Sequence, residues 1–148
     1  MKPRVIALGH RFAGDDGAAL EVAERLRARG HDVVSAGRPG AGLLELLDAP
    51  TVLLDVVRRG ASPGVVIELP LETLADASVA ERSVSSHDLG PSAALRLGAA
   101  LGRPTPRGTF VGLGGERFDP SDELSPKVRA GLDAMERAAL AALARLST

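Results

Sequence analysis

The fold of the chain is decided by residues 4–26, RVIALGHRFAGDDGAALEVAERL. The opening run, RVIALG, is β-branched and apolar and ends in glycine, which predicts a short strand buried on both faces. Over residues 16–29 the apolar side chains recur every three or four positions, which predicts an amphipathic helix that ends at Gly30. A buried strand followed by a helix is the opening unit of a parallel α/β fold.

The same alternation of strands and helices continues along the chain. The patterns predict strands over 31–37, 51–57, 65–70 and 108–114, and helices over 40–49, over 91–101 and from Ser125-Pro126 onward. The more polar residues 71–86 predict a partly ordered connection. We therefore predict a three-layer α/β sandwich of about five mostly parallel strands flanked by helices, in a single domain of residues 1–148.

Composition excludes several classes of function. The chain has 18 Lys and Arg against 19 Asp and Glu, and its only aromatic residues are three Phe, so nucleic acid is not an expected partner. The absence of cysteine excludes disulfides, thiolate metal ligands and a cysteine nucleophile, and is compatible with a reducing compartment. The N-terminal run MKPRVIALG is too short for a signal peptide or a membrane span. We expect a cytoplasmic protein with no membrane partner.

Two adjacent carboxylates, Asp15 and Asp16, lie between Gly14 and Gly17 where the first strand gives way to a helix. The loop matches neither the P-loop nor the dinucleotide-binding pattern, and a phosphate there would meet like charge. One interpretation is that an aspartate caps the helix N-terminus, which stabilises a helix by about 1 kcal/mol. That interpretation explains one aspartate and not necessarily both.

A second acid and a histidine complete a candidate metal site. Asp55 interrupts the apolar strand TVLLDVV near its carboxyl end, where ligand sites of open α/β sheets gather, so it can converge with Asp16. The alternative for Asp55 is a hydrogen bond from neighbouring backbone amides. His87 precedes a helix in SSHDLGPS; the alternative there is an ordinary surface histidine, and His10 in the glycine loop is a weaker candidate. Two carboxylates and one imidazole suit a divalent metal with open coordination positions.

Four segments, taken in order along the chain, resemble the nickel-iron hydrogenase maturation endopeptidases. They read ALGHRFAGDDGAALEVAERL, PTVLLDVVRRGASPGVV, SSHDLGPSAALRLGAALG and LSPKVRAGLDAM. The resemblance spans nearly the whole chain. Its most specific features are the Gly-Asp-Asp-Gly loop, the aspartate at a strand end and the Ser-His-Asp segment in that order. Enzymes of this family cut a C-terminal extension from the hydrogenase large subunit once nickel has been inserted.

The resemblance implies a hydrolase- or phosphorylase-like sandwich in which Asp16, Asp55 and His87 are both the catalytic and the metal-facing residues. The metal would be nickel carried by the substrate, with no organic cofactor, and the partner would be the hydrogenase large-subunit precursor. We expect the chain to act as a monomer. Asp15 would cap the helix or hold the loop. Whether the metal or a carboxylate polarises the carbonyl or activates water stays open at this stage.

The chain also departs from the family pattern in two places. The first loop typically reads Gly-x-Gly-Asn, whereas here Ala7 and Gly9 precede His10. Near the fifth strand a Gly-x-Glu-Pro motif is expected; the chain keeps Gly112 but has the acid displaced to Glu116 and lacks the proline. The altered first loop is the main support for the first of two alternatives. One is a non-catalytic metal-sensing or interaction module on the same fold; the other is a protease with a different protein substrate, as in the spore germination proteases.

Overall fold

The computed structural model describes residues 2–76 and 90–147. Its strands are β1 (Arg4–Leu8), β2 (Val33–Gly37), β3 (Thr51–Val57), β4 (Val66–Pro70) and β5 (Gly108–Gly114). Its α-helices are α1 (Ala18–Ala28), α2 (Leu71–Leu74), α3 (Pro91–Ala100) and α4 (Pro126–Leu146). Two 3-10 helices cover Gly14–Gly17 and Gly40–Leu46.

The strands form one sheet in the order β2-β1-β3-β5-β4. β1 pairs in parallel with both β2 and β3, and β3 pairs in parallel with β5 over its whole length. Only β4, at the edge, runs antiparallel to its neighbour β5. The predicted mostly parallel five-stranded sheet is therefore confirmed.

Helices cover both faces of the sheet, which is why the central strands read as continuous apolar runs. Along β1, Val5 and Ala7 face the layer that contains α1 and α4, whereas Ile6 and Leu8 face the layer that contains α2, α3 and the second 3-10 helix. The same alternation holds in β3. The predicted three layers are confirmed.

The strand order reverses between β1 and β3, and this reversal positions the site. From β1 the chain passes through α1 to β2 at the edge, and then crosses the other face of the sheet to β3. The loops after β1 and β3 therefore separate at the carboxyl edge of the sheet. Ligands of open α/β sheets bind in the crevice at such a switch point.

Three local predictions differ from the observed elements. The first helix begins as a 3-10 turn at Gly14, so regular α-helix starts at Ala18 and not at residue 16. The helix predicted over 40–49 is the 3-10 helix Gly40–Leu46. Within the connection predicted over 71–86, residues 71–74 form α2, and residues 77–86 lie outside the described part. No helix in the described ranges combines the length and the apolar character that a bilayer crossing requires.

Candidate active site

Asp16 lies in the 3-10 helix that follows β1, and its side chain is fully buried. The backbone N–H of His10 and the Nη2 of Arg38 both donate to its Oδ2, each at 2.7 Å. Gly9 makes this geometry possible: its φ is +126°, and a Cβ there would lie 2.2 Å from the Asp16 carbonyl oxygen. One oxygen of this buried carboxylate therefore accepts both an uncharged and a charged donor.

Asp55 lies in β3 opposite Gly112 of β5 and is also fully buried. The backbone N–H of Val56 donates to its Oδ1 at 2.9 Å, which is the kind of contact that the structural alternative required. Its Oδ2 is buried and has no hydrogen-bond partner among residues 2–76 and 90–147. The backbone contact therefore accounts for only one of the two carboxylate oxygens, and an unsatisfied buried oxygen is a natural place for a ligand.

The two carboxylates are electrostatically coupled. Burial, and after it the negative charge of Asp16, raise the pKa of Asp55 to about 8, against smaller opposing effects of the Val56 amide and the Arg38 guanidinium. Like charges that share a buried site favour a neutral form of one of them. The structure thus brings Asp16 and Asp55 together at the switch point, as expected from the strand order.

The third predicted residue, His87, lies outside the described residues. Within the part of the chain that the structure describes, no three His, Asp or Glu side chains are grouped closely enough to hold a metal ion. Of the three predicted site residues, the structure therefore describes two, Asp16 and Asp55, which we call the carboxylate pair. The ligand role of all three residues remains a prediction.

The side chain of Asp15 contacts a different loop from the side chain of Asp16. Its buried carboxylate accepts hydrogen bonds from the backbone N–H groups of Glu116 and Arg117, both at 2.9 Å, and from the N–H and Oγ of Ser125, at 2.7 and 2.9 Å. Burial acts to raise the pKa of Asp15, but these four hydrogen bonds outweigh it and lower the pKa below its usual value. Asp15 holds the loop between β5 and α4 against the loop after β1.

The helix-capping interpretation of the aspartate pair is wrong. The N-cap position of the 3-10 helix is Ala13 and that of α1 is Gly17, and neither makes a side-chain capping bond. Both aspartates lie inside the 3-10 helix. Gly14, with φ +58°, packs so tightly on the loop between β5 and α4 that a Cβ there would lie 2.5 Å from the Arg117 carbonyl oxygen. The hydrogen bonds of the Asp15 side chain go to that loop and not to the N-terminus of α1.

The loop that differs from the family pattern, HRFA at residues 10–13, forms an exposed rim beside the carboxylates. The imidazole Nδ1 of His10 accepts the backbone N–H of Phe12 at 3.2 Å, so His10 contacts Asp16 through its backbone and not through its ring. Phe12 is 59% exposed. The backbone of Phe12 and Gly14 is tied to Ser121 by two hydrogen bonds of 2.9 Å, which fixes the rim in place.

Two further residues belong to the site but were missed by sequence reasoning. Arg38 directly follows β2 and forms an ion pair with Asp16, and Ser125, noted only as the start of the last helix, contributes two of the four donors to Asp15. Arg38 carries one usable signal: it is a cation at the carboxyl end of a strand, flanked by Gly37 and Pro39. Ser125 carries none beyond its place before a helix.

Comparison with solved structures identifies the fold. The hydrogenase maturating endopeptidase HybD from E. coli superposes with a TM-score of 0.79 at 23% identity, over 98% of this chain and 93% of that one. The hydrogenase maturation protease HybD from Thermococcus kodakarensis gives a TM-score of 0.73 at 24% identity, over 95% and 98% of the two chains. This chain has the fold of the nickel-iron hydrogenase maturation proteases.

A third maturation protease structure extends the comparison. The hydrogenase 2 maturation peptidase from a Thaumarchaeota archaeon is 25% identical, with a TM-score of 0.69 over 97% of this chain and 98% of that one. No protein-family sequence model matches the chain, and no curated protein matches it by sequence. The resemblance to the maturation proteases, predicted from four short segments, is confirmed at the level of the fold over nearly the whole length of both chains.

The Asp55→Asn variant is expected to gain stability over the wild type as the pH rises. Because the pKa of Asp55 is about 8 in the folded protein and about 4 when unfolded, only the unfolded state is ionised between these values. The contribution of Asp55 to stability is therefore present at low pH and lost as the pH rises through 8. Asparagine cannot ionise, so the stability of the variant relative to the wild type should rise by about 4 kcal/mol between about pH 5 and pH 9.

Urea unfolding followed by circular dichroism at several pH values measures this difference, since the chain has no tryptophan. The variant Asp32→Asn is the control, because Asp32 is an exposed carboxylate paired with Arg4 and should show no such trend. A loss of stability in Asp55→Asn by about 1–3 kcal/mol at all pH values would instead make Asp55 a structural acceptor.

Proposed function

We propose that this chain is a cytoplasmic endopeptidase that removes the C-terminal extension of a nickel-iron hydrogenase large-subunit precursor after nickel insertion. The observation that carries the proposal is the pair of fully buried carboxylates, Asp16 and Asp55, at the switch point of a maturation protease fold. Burial of two coupled carboxylates costs free energy unless a ligand or partner compensates it. Arg38 compensates the charge of Asp16 only, and a cation presented by the substrate would compensate the pair.

The donor set fits nickel carried by a substrate. Asp55 Oδ2 is a buried carboxylate oxygen without a hydrogen-bond partner in the described ranges, and Asp16 lies close enough to change the pKa of Asp55. Carboxylate oxygens and an imidazole from His87 would leave coordination positions for the ligands of the substrate. Binding of the metal would release the proton that Asp55 holds near neutral pH, because ligation requires the carboxylate form.

The reaction is the hydrolysis of one peptide bond. Water oxygen attacks the carbonyl carbon at the scissile bond, the bond between carbon and nitrogen breaks, and a proton passes to the leaving amine. Asp16 and Asp55 would bind the nickel-bearing end of the substrate and so orient it beside the carboxylates. Bound there, the metal would supply Lewis acidity to polarise the carbonyl; alternatively, a carboxylate would accept the proton of the attacking water.

A second candidate function rests on the exposed HRFA rim. Phe12 is 59% exposed on a loop that Ser121 fixes in place, and Arg38 already neutralises Asp16. A non-catalytic module that docks a nickel-loaded protein without cleaving it needs the same rim and the same pocket. A protease of this fold acting on another protein is the remaining alternative, and the departure of the rim from the family pattern is its support.

The purified chain is expected to cleave nickel-loaded precursor once and to leave nickel-free precursor intact. The reason is that nickel supplies recognition energy through the carboxylate pair, so a precursor with an intact extension but no metal binds poorly. Cognate large-subunit precursor in both forms is incubated with the chain, and the loss of mass is followed by gel and mass spectrometry. Equal cleavage of both forms removes nickel from recognition. Stable binding of the loaded form without cleavage favours the interaction module.

A further inference from the structure

Arg38 places a positive charge where the proposed substrate metal would act. Its Nη2 lies 2.7 Å from Asp16 Oδ2, and it also opposes the raised pKa of Asp55, so its charge reaches both carboxylates. The exposure of the two partners is very unequal. The Asp16 side chain is fully buried, whereas 40% of the Arg38 side chain is exposed. The carboxylate is fixed and the guanidinium is the movable partner.

We propose that Arg38 is a built-in counter-ion that occupies Asp16 until a metal centre on the substrate displaces it, so that the site discriminates against free divalent metal. This inference rests on the proposed function, because it assumes that the metal arrives on a protein. It assigns to Arg38 a role in selectivity, and it makes no claim that Arg38 touches the scissile bond.

The two cations compete because they use the same carboxylate. The guanidinium lies 2.7 Å from Asp16 Oδ2, and a divalent ion bound to that same oxygen would repel it strongly at such short range. The His10 backbone N–H carries no net charge, so its hydrogen bond to Asp16 meets no such repulsion. Metal binding at Asp16 Oδ2 therefore requires the Arg38 side chain to move, whereas the His10 backbone can stay in place.

The surroundings of Arg38 allow that movement. One side of the side chain faces solvent, and the residue also borders a cavity of about 120 Å³ lined mainly by apolar groups, among them Leu8, Leu43 and Pro91. The backbone is held on both sides, by a 2.9 Å hydrogen bond from the Gly9 N–H to the Gly37 carbonyl and by the fixed φ of Pro39. A change of side-chain rotamer therefore releases Asp16 without any repacking of the core.

Displacement of Arg38 makes binding depend on what accompanies the metal. When a hydrated nickel ion binds, only its own coordination energy offsets the loss of the ion pair between Arg38 and Asp16. A nickel centre in a precursor also contributes the surface that docks around the site, including any contact with the Phe12 rim. The ion pair thus weakens the binding of free metal more, in relative terms, than the binding of the loaded precursor.

The test is a calorimetric titration of nickel chloride into five versions of the full chain: wild type, Arg38→Ala, Arg58→Ala, Asp16→Ala and the double variant that combines Arg38→Ala with Asp16→Ala. Arg58 follows β3 as Arg38 follows β2, and its guanidinium lies 4.1 Å from the ring centre of Phe118, so Arg58→Ala removes the same charge from the same edge of the sheet. We expect Arg38→Ala to bind nickel about tenfold more tightly than wild type, and Arg58→Ala to match wild type within about twofold.

The other variants separate the possible failures. Asp16→Ala should abolish the nickel binding gained in Arg38→Ala when the two changes are combined, which excludes binding at surface histidines. Equal or weaker binding in Arg38→Ala than in wild type overturns the inference, and so does an equal gain in Arg58→Ala. The proposed function is judged separately, by wild-type cleavage of loaded precursor: cleavage without a gain in Arg38→Ala refutes only the counter-ion role, and a gain without cleavage refutes only the endopeptidase.

Discussion

The Asp15→Ala variant is expected to lose about 4 kcal/mol of unfolding free energy, a large share of the stability of an ordinary domain. The substitution removes the acceptor of four hydrogen bonds and strands the N–H and Oγ of Ser125, which is buried. Donors left unsatisfied in the interior carry the cost, because water cannot replace the carboxylate there. Urea unfolding followed by circular dichroism at pH 7 measures the loss.

The same contacts set an acid dependence for the wild-type protein. Because the hydrogen bonds lower the pKa of Asp15 below its usual 3.8, the unfolded chain binds a proton at Asp15 before the folded chain does. The stabilisation is therefore present above pH 3.8 and is lost as the pH falls through the lower, folded-state pKa. Asp15→Asn should flatten this part of the curve.

Asp122→Ala is the matched control for Asp15→Ala. Asp122 is an exposed acid in the same loop between β5 and α4, and its removal should change stability by less than about 0.5 kcal/mol. A small loss in both variants would mean that the loop does not depend on Asp15. In that case neither Asp15 nor Asp16 would have a structural role.

The strands were predictable because each one carries a strong local signal. β1 and β3 are continuous apolar runs, and burial between two helical layers is the physical reason for such runs. Asp55 could be singled out from the sequence because the burial of a carboxylate inside an apolar strand costs free energy unless the carboxylate is paired or binds a ligand. The convergence of Asp55 with Asp16 then followed from the rule that ligand sites lie at the carboxyl ends of strands.

The resemblance implied separate roles for Asp15 and Asp16, but the contacts of each were not predictable from their adjacency. They differ only in direction: one side chain faces Ser125 in a loop more than 100 residues away, and the other faces Arg38. Both contacts depend on the 3-10 geometry of Gly14–Gly17, which the helical periodicity of residues 16–29 does not reveal. The part played by Arg38 was hidden for the same reason, because an ion pair between two loops leaves no periodic pattern in a sequence.

The Asp16→Ala variant is expected to lose at least about a thousandfold in the rate of cleavage of nickel-loaded precursor, while the fold is retained. The substitution removes a carboxylate that holds the metal end of the substrate. Its effect on stability should be below about 1 kcal/mol. The partly exposed Arg38 regains water, and the neighbouring Asp55 is relieved of a like charge. Single-turnover cleavage and urea unfolding measure the two effects on the same preparation.

Asp48→Ala is the control for this last substitution. Asp48 forms a 3.0 Å ion pair with Arg4 at the opposite end of β1, so the variant also deletes a carboxylate paired with arginine but leaves the switch point untouched. It should cleave at the wild-type rate. If Asp16→Ala instead unfolds as readily as Asp15→Ala, both aspartates are structural and the metal-facing role fails. If Asp16→Ala is stable and cleaves normally, catalysis does not use the carboxylate pair, because one member has been removed without effect.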